Sequence, residues 1–160
     1  MFLFDSNTFI EAKNRYYAFD IVPAFWTWLH KVVQDDVRII EPVMIELTNY
    51  SDEVSTWIQD HKDAGWVLPV DDQATQEAFA DIAAELASSD YKKPGIEKFL
   101  SGADPWIIAK AQTSGAIVVT HEVFDEHCKR RVPIPNLCHS RGIQVMNTFE
   151  VLRHKSAKFV

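Results

Sequence analysis

Four acidic residues stand where a folded chain could gather them. Asp5 directly follows the apolar run Phe2-Leu3-Phe4, and Glu46 lies inside Val43-Met44-Ile45-Glu46-Leu47. Asp104 precedes Pro105, and Glu122 follows Ala116-Ile117-Val118-Val119 by way of Thr120-His121. Carboxylates brought into one cleft repel each other, and burial penalises their charge unless something neutralises it. A divalent cation does so, and an all-oxygen donor set selects Mg²⁺ or Mn²⁺ over zinc. Two such ions ~4 Å apart can activate a water and stabilise a departing oxygen in phosphodiester hydrolysis.

Each acid also has a plainer reading. Asp104 ahead of a proline suits a helix N-cap, and Asp5 suits an Asx turn after a strand. Glu46 suits the exposed stripe of an amphipathic helix. Glu122 has rivals in Asp125 and Glu126.

The elements that must position these residues follow from apolar patterning. Strands are expected at Phe2–Phe4, Val37–Ile40, Trp66–Val70, Ala116–Val119 and Gly142–Met146, all short and mostly apolar. Between them Asn7 is expected to cap a helix to about Tyr16. Asp20 is expected to cap a second helix, with Pro23 in its first turn and Phe25, Trp28, Leu29, Val32 and Val33 on one stripe. Further helices are expected over 41–50, 51–65, 72–88 and 104–111, and a last one from Asn147. Strands alternating with helices predict an α/β fold with a mainly parallel sheet, whose site lies beyond the carboxyl ends of the strands. No repeat or flexible linker divides the chain, so one domain over 1–160 is expected.

Composition narrows the field. The chain has 160 residues, 47% of them hydrophobic, which excludes a disordered polymer. Acidic residues outnumber basic ones 23 to 16, giving a charge of −7, so a broad basic face for nucleic acid is excluded while a local acidic cluster is not. The start MFLFDSNTF lacks the basic segment of an export signal, and no apolar run approaches the ~20 residues of a membrane span. With only Cys128 and Cys138 as thiols, a reducing cytoplasmic setting with no membrane contact is expected.

Taken together, four segments carry a specific resemblance. FLFDSNTFI resembles the opening strand and D-x-N turn of PIN-domain ribonucleases, and PVMIELTNY resembles their second acidic motif. GADPWIIAKA is similar to the third, and AIVVTHE to the fourth, a strand ending in Thr-x-acid. NRYYAFDIVPAFWTWL and RRVPIPNLCHSRGIQV are similar to a bacterial branch related to VapC-type toxins. The resemblance implies a three-layer α/β/α PIN-like domain with a twisted sheet. It also implies Mg²⁺- or Mn²⁺-dependent cleavage of RNA, an antitoxin partner and a possible homodimer. Asp5, Glu46, Asp104 and Glu122 would then be the metal-binding catalytic acids, supported by Ser6, Asn7 and Thr120. Glu122 departs from the commoner Asp. The readings of other classes are a PIN-fold binding partner without catalysis and a nuclease directed at DNA.

Phosphate needs cations beside these acids. Lys129, Arg130 and Arg131 are the first candidates, and Lys13 with Arg15 the second; Lys92, Lys93 and Lys98 read as an exposed turn. His121, His127, Cys128, Cys138 and His139 lack the paired spacing of a zinc site. The tryptophans read as core, with Trp106 singled out because it lies two residues after Asp104.

Overall fold

A computed structural model describes residues 1–159. The short apolar runs are strands, β1 (Phe2–Phe4), β2 (Val37–Ile40), β3 (Val67–Leu68), β4 (Ile117–Val119) and β5 (Val145–Met146). They form one parallel sheet in the order β3-β2-β1-β4-β5, with Phe2 opposite Val37 on one side and Ile117 on the other. The chain walks outward from β1 to β3, then returns to β4 on the far side of β1. Right-handed crossovers in opposite directions put the connecting helices on opposite faces, which leaves the sheet between two helical layers. This is why all three side chains of β1 are buried rather than alternating. The reversal of strand order between β1 and β4 opens a crevice at their carboxyl ends.

The helices explain how the acids are aimed. The first, α1 (Ser6–Glu11), continues through one π-helical turn, Ala12–Tyr16, and begins earlier than expected because Asp5, not Asn7, holds the cap position. Val22, not Asp20, precedes α2 (Pro23–Asp35), which buries Phe25, Trp26, Leu29, Val32 and Val33. Next come α3 (Glu41–Thr48) and α4 (Glu53–His61), the latter capped by Asp52, whose carboxylate accepts from the Ser55 N–H at 2.9 Å. Asp72 caps α5 (Gln73–Ala87) in the same way, through the Thr75 N–H.

A helix then occupies the stretch expected to be a turn, α6 (Lys93–Ser101). Its Pro94-Gly95 pair mimics a turn in sequence, but Pro is tolerated in a first helical turn, where its missing N–H has no partner to lose. Gly95 answers a packing need: a Cβ there would lie 2.2 Å from the Arg130 carbonyl oxygen. After α7 (Asp104–Ser114), ended by Gly115 at φ 69°, a second unexpected helix follows, α8 (Ile134–Ser140), again with Pro in its first turn. The chain closes with α9 (Thr148–His154), opened by a capping box between Asn147 and Glu150.

The core gathers Phe4, Phe9, Trp57 and Trp66 under the sheet edge, each such side chain contributing about 1.5–3 kcal/mol when buried. Trp106 belongs to this packing and not to the acids, since it stacks on Phe79 at 4.0 Å. Cys128 and Cys138 are unpaired, and burial pushes the Cys138 thiol up to about 12. No helix among the described residues is long and apolar enough to cross a membrane.

Candidate metal centre

The parallel pairing of β1 with β4 sets Asp5 beside Thr120. The Asp5 N–H donates to the Val119 carbonyl at 2.9 Å, and the Thr8 hydroxyl donates to the same oxygen at 3.1 Å, tying α1 to β4. Thr120 Oγ1 donates to Asp5 Oδ2 at 3.0 Å and accepts the Glu122 N–H at 3.1 Å. The Asp5 carboxylate is therefore held by Thr120, just past β4, on one oxygen, with the neighbouring Ser6 near the other. Asp5 is 1% exposed.

Ser6 joins the next acid. Its hydroxyl lies 2.9 Å from Glu46 Oε2 and 3.3 Å from Asp5 Oδ1, so its single proton favours Glu46. The Ala103 N–H donates to Glu46 Oε1 at 3.0 Å, which fastens α3 to the start of α7. Glu46 thus turns into the crevice, while Ile45 takes the exposed position of α3 at 55%.

Asp104 stands in the first turn of α7, with Ala103 in the cap position, so capping does not account for it. Among the described residues no hydrogen-bond donor meets its carboxylate; only burial and neighbouring charges act on it. Burial first, then the charges of Asp5, Glu122 and Glu46, push its carboxyl up to about 8, with Arg131 pulling the other way. Burial likewise raises Asp5 to about 6, against the hydrogen bond from Thr120 and with help from Glu122 and Glu46.

Glu122 is the fourth acid of the crevice, whereas Asp125 and Glu126 are exposed and engaged with His127. Glu122 is nonetheless spoken for: Arg131 donates to Oε1 at 3.0 Å and the Ile134 N–H to Oε2 at 2.8 Å. A cavity of about 290 Å³ lies over the acids, lined by Glu46, Asp104 and Glu122, by Asn7, and by Lys98, Phe99 and Arg131. A neighbouring hollow of about 480 Å³ shares Asn7, Glu122 and Arg131 with it and adds Arg15, Tyr16 and His121. A larger open depression of about 820 Å³ lies elsewhere, between Phe19, Tyr50 and Trp57, with none of the four acids in its wall.

The donor set suits a hard cation, being all carboxylate oxygen with two members raised first by burial and then by their neighbours' charge. As the side chains stand, no three His, Cys, Asp or Glu among the described residues are gathered to ligate one ion. The reason is visible in the bonds above: Glu46 and Glu122 are turned onto protein donors. His121, His127, Cys128, Cys138 and His139 are likewise not gathered around one point among the described residues.

The cations sort by the same geometry. Arg131 and Arg15 line the paired hollows. Lys13 is bound to Asp52 at 2.9 Å and Lys129 to Asp90 at 3.0 Å, while Arg130 points its carbonyl at Gly95. The residues that sequence reasoning missed are Lys98 and Phe99 on α6, together with Tyr16 and His121. Ile96, Phe99 and Leu100 carry helical spacing that outweighs the Pro-Gly turn signal.

Three solved structures share this architecture. The FitAcB structure from Neisseria gonorrhoeae matches with a TM-score of 0.56 and 18% identity, covering 93% of this chain and 99% of that one. VapBC2 from Rickettsia felis, bound to a DNA fragment from its promoter, matches with a TM-score of 0.56 and 12% identity, covering 91% and 97%. DNA-bound VapBC from Salmonella typhimurium gives 0.53 and 20%, covering 91% and 96%. At these identities the likeness establishes the PIN fold expected from the motifs. No curated protein matches the chain. The family model of DUF4411, a domain of unknown function, matches residues 2–159, so the chain belongs to the DUF4411 family and carries it on a PIN-type α/β fold.

Proposed function

We propose that this chain is a divalent-metal-dependent ribonuclease and the toxin of a toxin–antitoxin pair, with Asp5, Glu46, Asp104 and Glu122 as its metal-binding acids and Mg²⁺ or Mn²⁺ as the ion. One observation carries the reading: Asp104 presents an unpartnered carboxylate to the cleft, raised to about 8 by burial and three nearby acids. A fold keeps such a group where a cation will neutralise it.

When bound, the ion supplies a water activated for attack on phosphorus and charge stabilisation of the leaving oxygen. Asp5 and Asp104 offer the first ligating oxygens. Ser6 and the Ala103 N–H hold Glu46 ready beside them. Arg131 and Lys98 draw the phosphodiester into an otherwise acidic molecule. Arg131, now paired with Glu122 Oε1, would be the cation that holds the phosphate, and Glu122 would be the fourth carboxylate available to hold the ion. Thr120 keeps Asp5 and the Glu122 backbone in register throughout, and Asn7 orients groups at the cleft.

The antitoxin partner rests on the neighbours, which are toxin–antitoxin complexes, two of the three described above determined with DNA; a promoter-binding complex, a homodimer among its states, follows as part of the proposal. One observation favours a second reading, a binding partner without catalysis: both oxygens of Glu122 are already occupied.

Purified protein incubated with a mixed structured RNA in Mn²⁺, Mg²⁺ or EDTA decides between them. The expected result is cleavage in either metal, none in EDTA, and a loss of about 100-fold or more in a folded Asp104→Asn variant, the scale of removing one strong electrostatic contact to the reaction. Intact RNA in all conditions favours the binding partner, and cleavage of DNA alone would redirect the activity to that polymer.

A further inference from the structure

Beside the acids lies a built surface that the proposed chemistry leaves unused. Tyr16 ends the π-helical turn that extends α1, a local distortion frequent at functional sites. Its ring stacks on His121 at 5.8 Å with an interplanar angle of 27°, and meets Phe149 edge-on at 5.1 Å. His121 is itself fixed by Thr148, whose hydroxyl lies 2.9 Å from Nε2, and by the edge of Phe149 at 6.1 Å. The result is a rigid aromatic step, yet Tyr16 keeps 43% of its surface exposed. Core packing alone does not require a ring braced on two sides and left open to solvent.

The step lines the hollow of about 480 Å³, inside the usual range of roughly 300–1,000 Å³ for small-ligand sites. Exposed Val123 supplies an apolar counterpart in the same hollow, and Arg15 and Arg131 stand in its wall as ion pairs with Glu11 and Glu122, leaving the lining balanced in charge. The hollow adjoins the acid cavity, with Asn7, Glu122 and Arg131 in the walls of both. A chain of phosphates lying over the acids would therefore deliver its next base to Tyr16.

We propose that Tyr16, braced by His121 and Phe149, is a nucleobase-stacking subsite that holds the unpaired nucleotide next to the scissile phosphate of single-stranded RNA. The subsite rests on the nuclease reading for its ligand. It reads no base edge, because an aromatic face accepts every base. It selects unpaired RNA over duplex, since only an unstacked base can reach the ring.

The test uses a short single-stranded RNA carrying 2-aminopurine, whose fluorescence falls on stacking, with Ca²⁺ replacing Mg²⁺ and Mn²⁺ during binding. Tyr16→Ala and Tyr16→Phe are compared with the wild type after thermal unfolding has shown all three folded, and RNA cleavage in Mn²⁺ is measured in parallel. The expected result is quenching by the wild type, about tenfold weaker binding without quenching for Tyr16→Ala, and binding within about twofold of wild type for Tyr16→Phe. Binding and quenching by Tyr16→Ala equal to the wild type, while the wild type still cleaves RNA, overturns the subsite and leaves the nuclease reading intact. A wild type that neither binds nor cleaves the RNA overturns both.

Discussion

Burial and three neighbouring acids hold the Asp104 carboxyl at about 8, and burial with Glu122 and Glu46, opposed by Thr120, holds the Asp5 carboxyl at about 6; in the unfolded chain both ionise near 3.8. Between those limits the native state binds more protons than the unfolded state, so stability falls as pH rises. The metal-free protein should therefore melt at a lower temperature at about pH 8 than at about pH 5, and Asp104→Asn should flatten that slope and be the more stable of the two at the higher pH. Melting curves across this range check it; an equal slope in both proteins would remove Asp104 from the strained cluster. Metal must displace these protons, so Mn²⁺ affinity should climb from about pH 6 to about pH 8. Thr120 supports the same residues from the neighbouring strand. Thr120→Val leaves Asp5 Oδ2 and the Glu122 N–H short of a partner, and chemical denaturation should show a loss of about 1–3 kcal/mol, with Thr120→Ser recovering most of it.

At the scale of elements, α6 decides where Arg131 stands. Lys92 N–H donates to the Lys129 carbonyl at 2.8 Å, and Gly95 lets the Arg130 backbone approach where a Cβ would sit 2.2 Å from its oxygen. Gly95→Ala should push the 129–131 segment off α6, cost about 1–3 kcal/mol as overpacking does, and weaken RNA cleavage more than the exposed substitution Lys93→Ala. Retained stability and activity in Gly95→Ala would mean that the segment is free to shift. This helix also marks the limit of what the sequence discloses. The five strands were legible as short, mostly apolar runs, and Asp72 and Asn147 as helix boundaries, whereas the caps expected at Asn7 and Asp20 fall at Asp5 and Val22. The helices α6 and α8 were not legible, because Pro in a first helical turn looks locally like Pro in a turn. The acids of the crevice were legible from position after a strand for Asp5 and Glu122, and from motif for Glu46 and Asp104. Ser6 and Thr120, expected beside them, do bond Glu46 and Asp5, whereas the pairing of Glu122 with Arg131 and the bracing of Tyr16 by His121 arise from contacts that no local pattern encodes.

Across the whole molecule, a chain of charge −7 concentrates four acids at the switch point of a parallel sheet and rims them with Arg131 and Lys98. Such an arrangement stores repulsion that a bound cation releases, so metal should stabilise the fold as well as enable the chemistry. With Mn²⁺ at about a hundred times its Kd, the gain is about 2.7 kcal/mol, or about 5–10 °C in melting temperature for a chain of this size. The direct test of the metal centre is a calorimetric titration of Mn²⁺ into metal-freed wild type and Asp104→Asn near neutral pH. The structure predicts saturable uptake by the wild type and its loss in a variant that still folds. No uptake by the wild type, or equal uptake by both proteins, would contradict the assignment of Asp104 to a divalent-cation site.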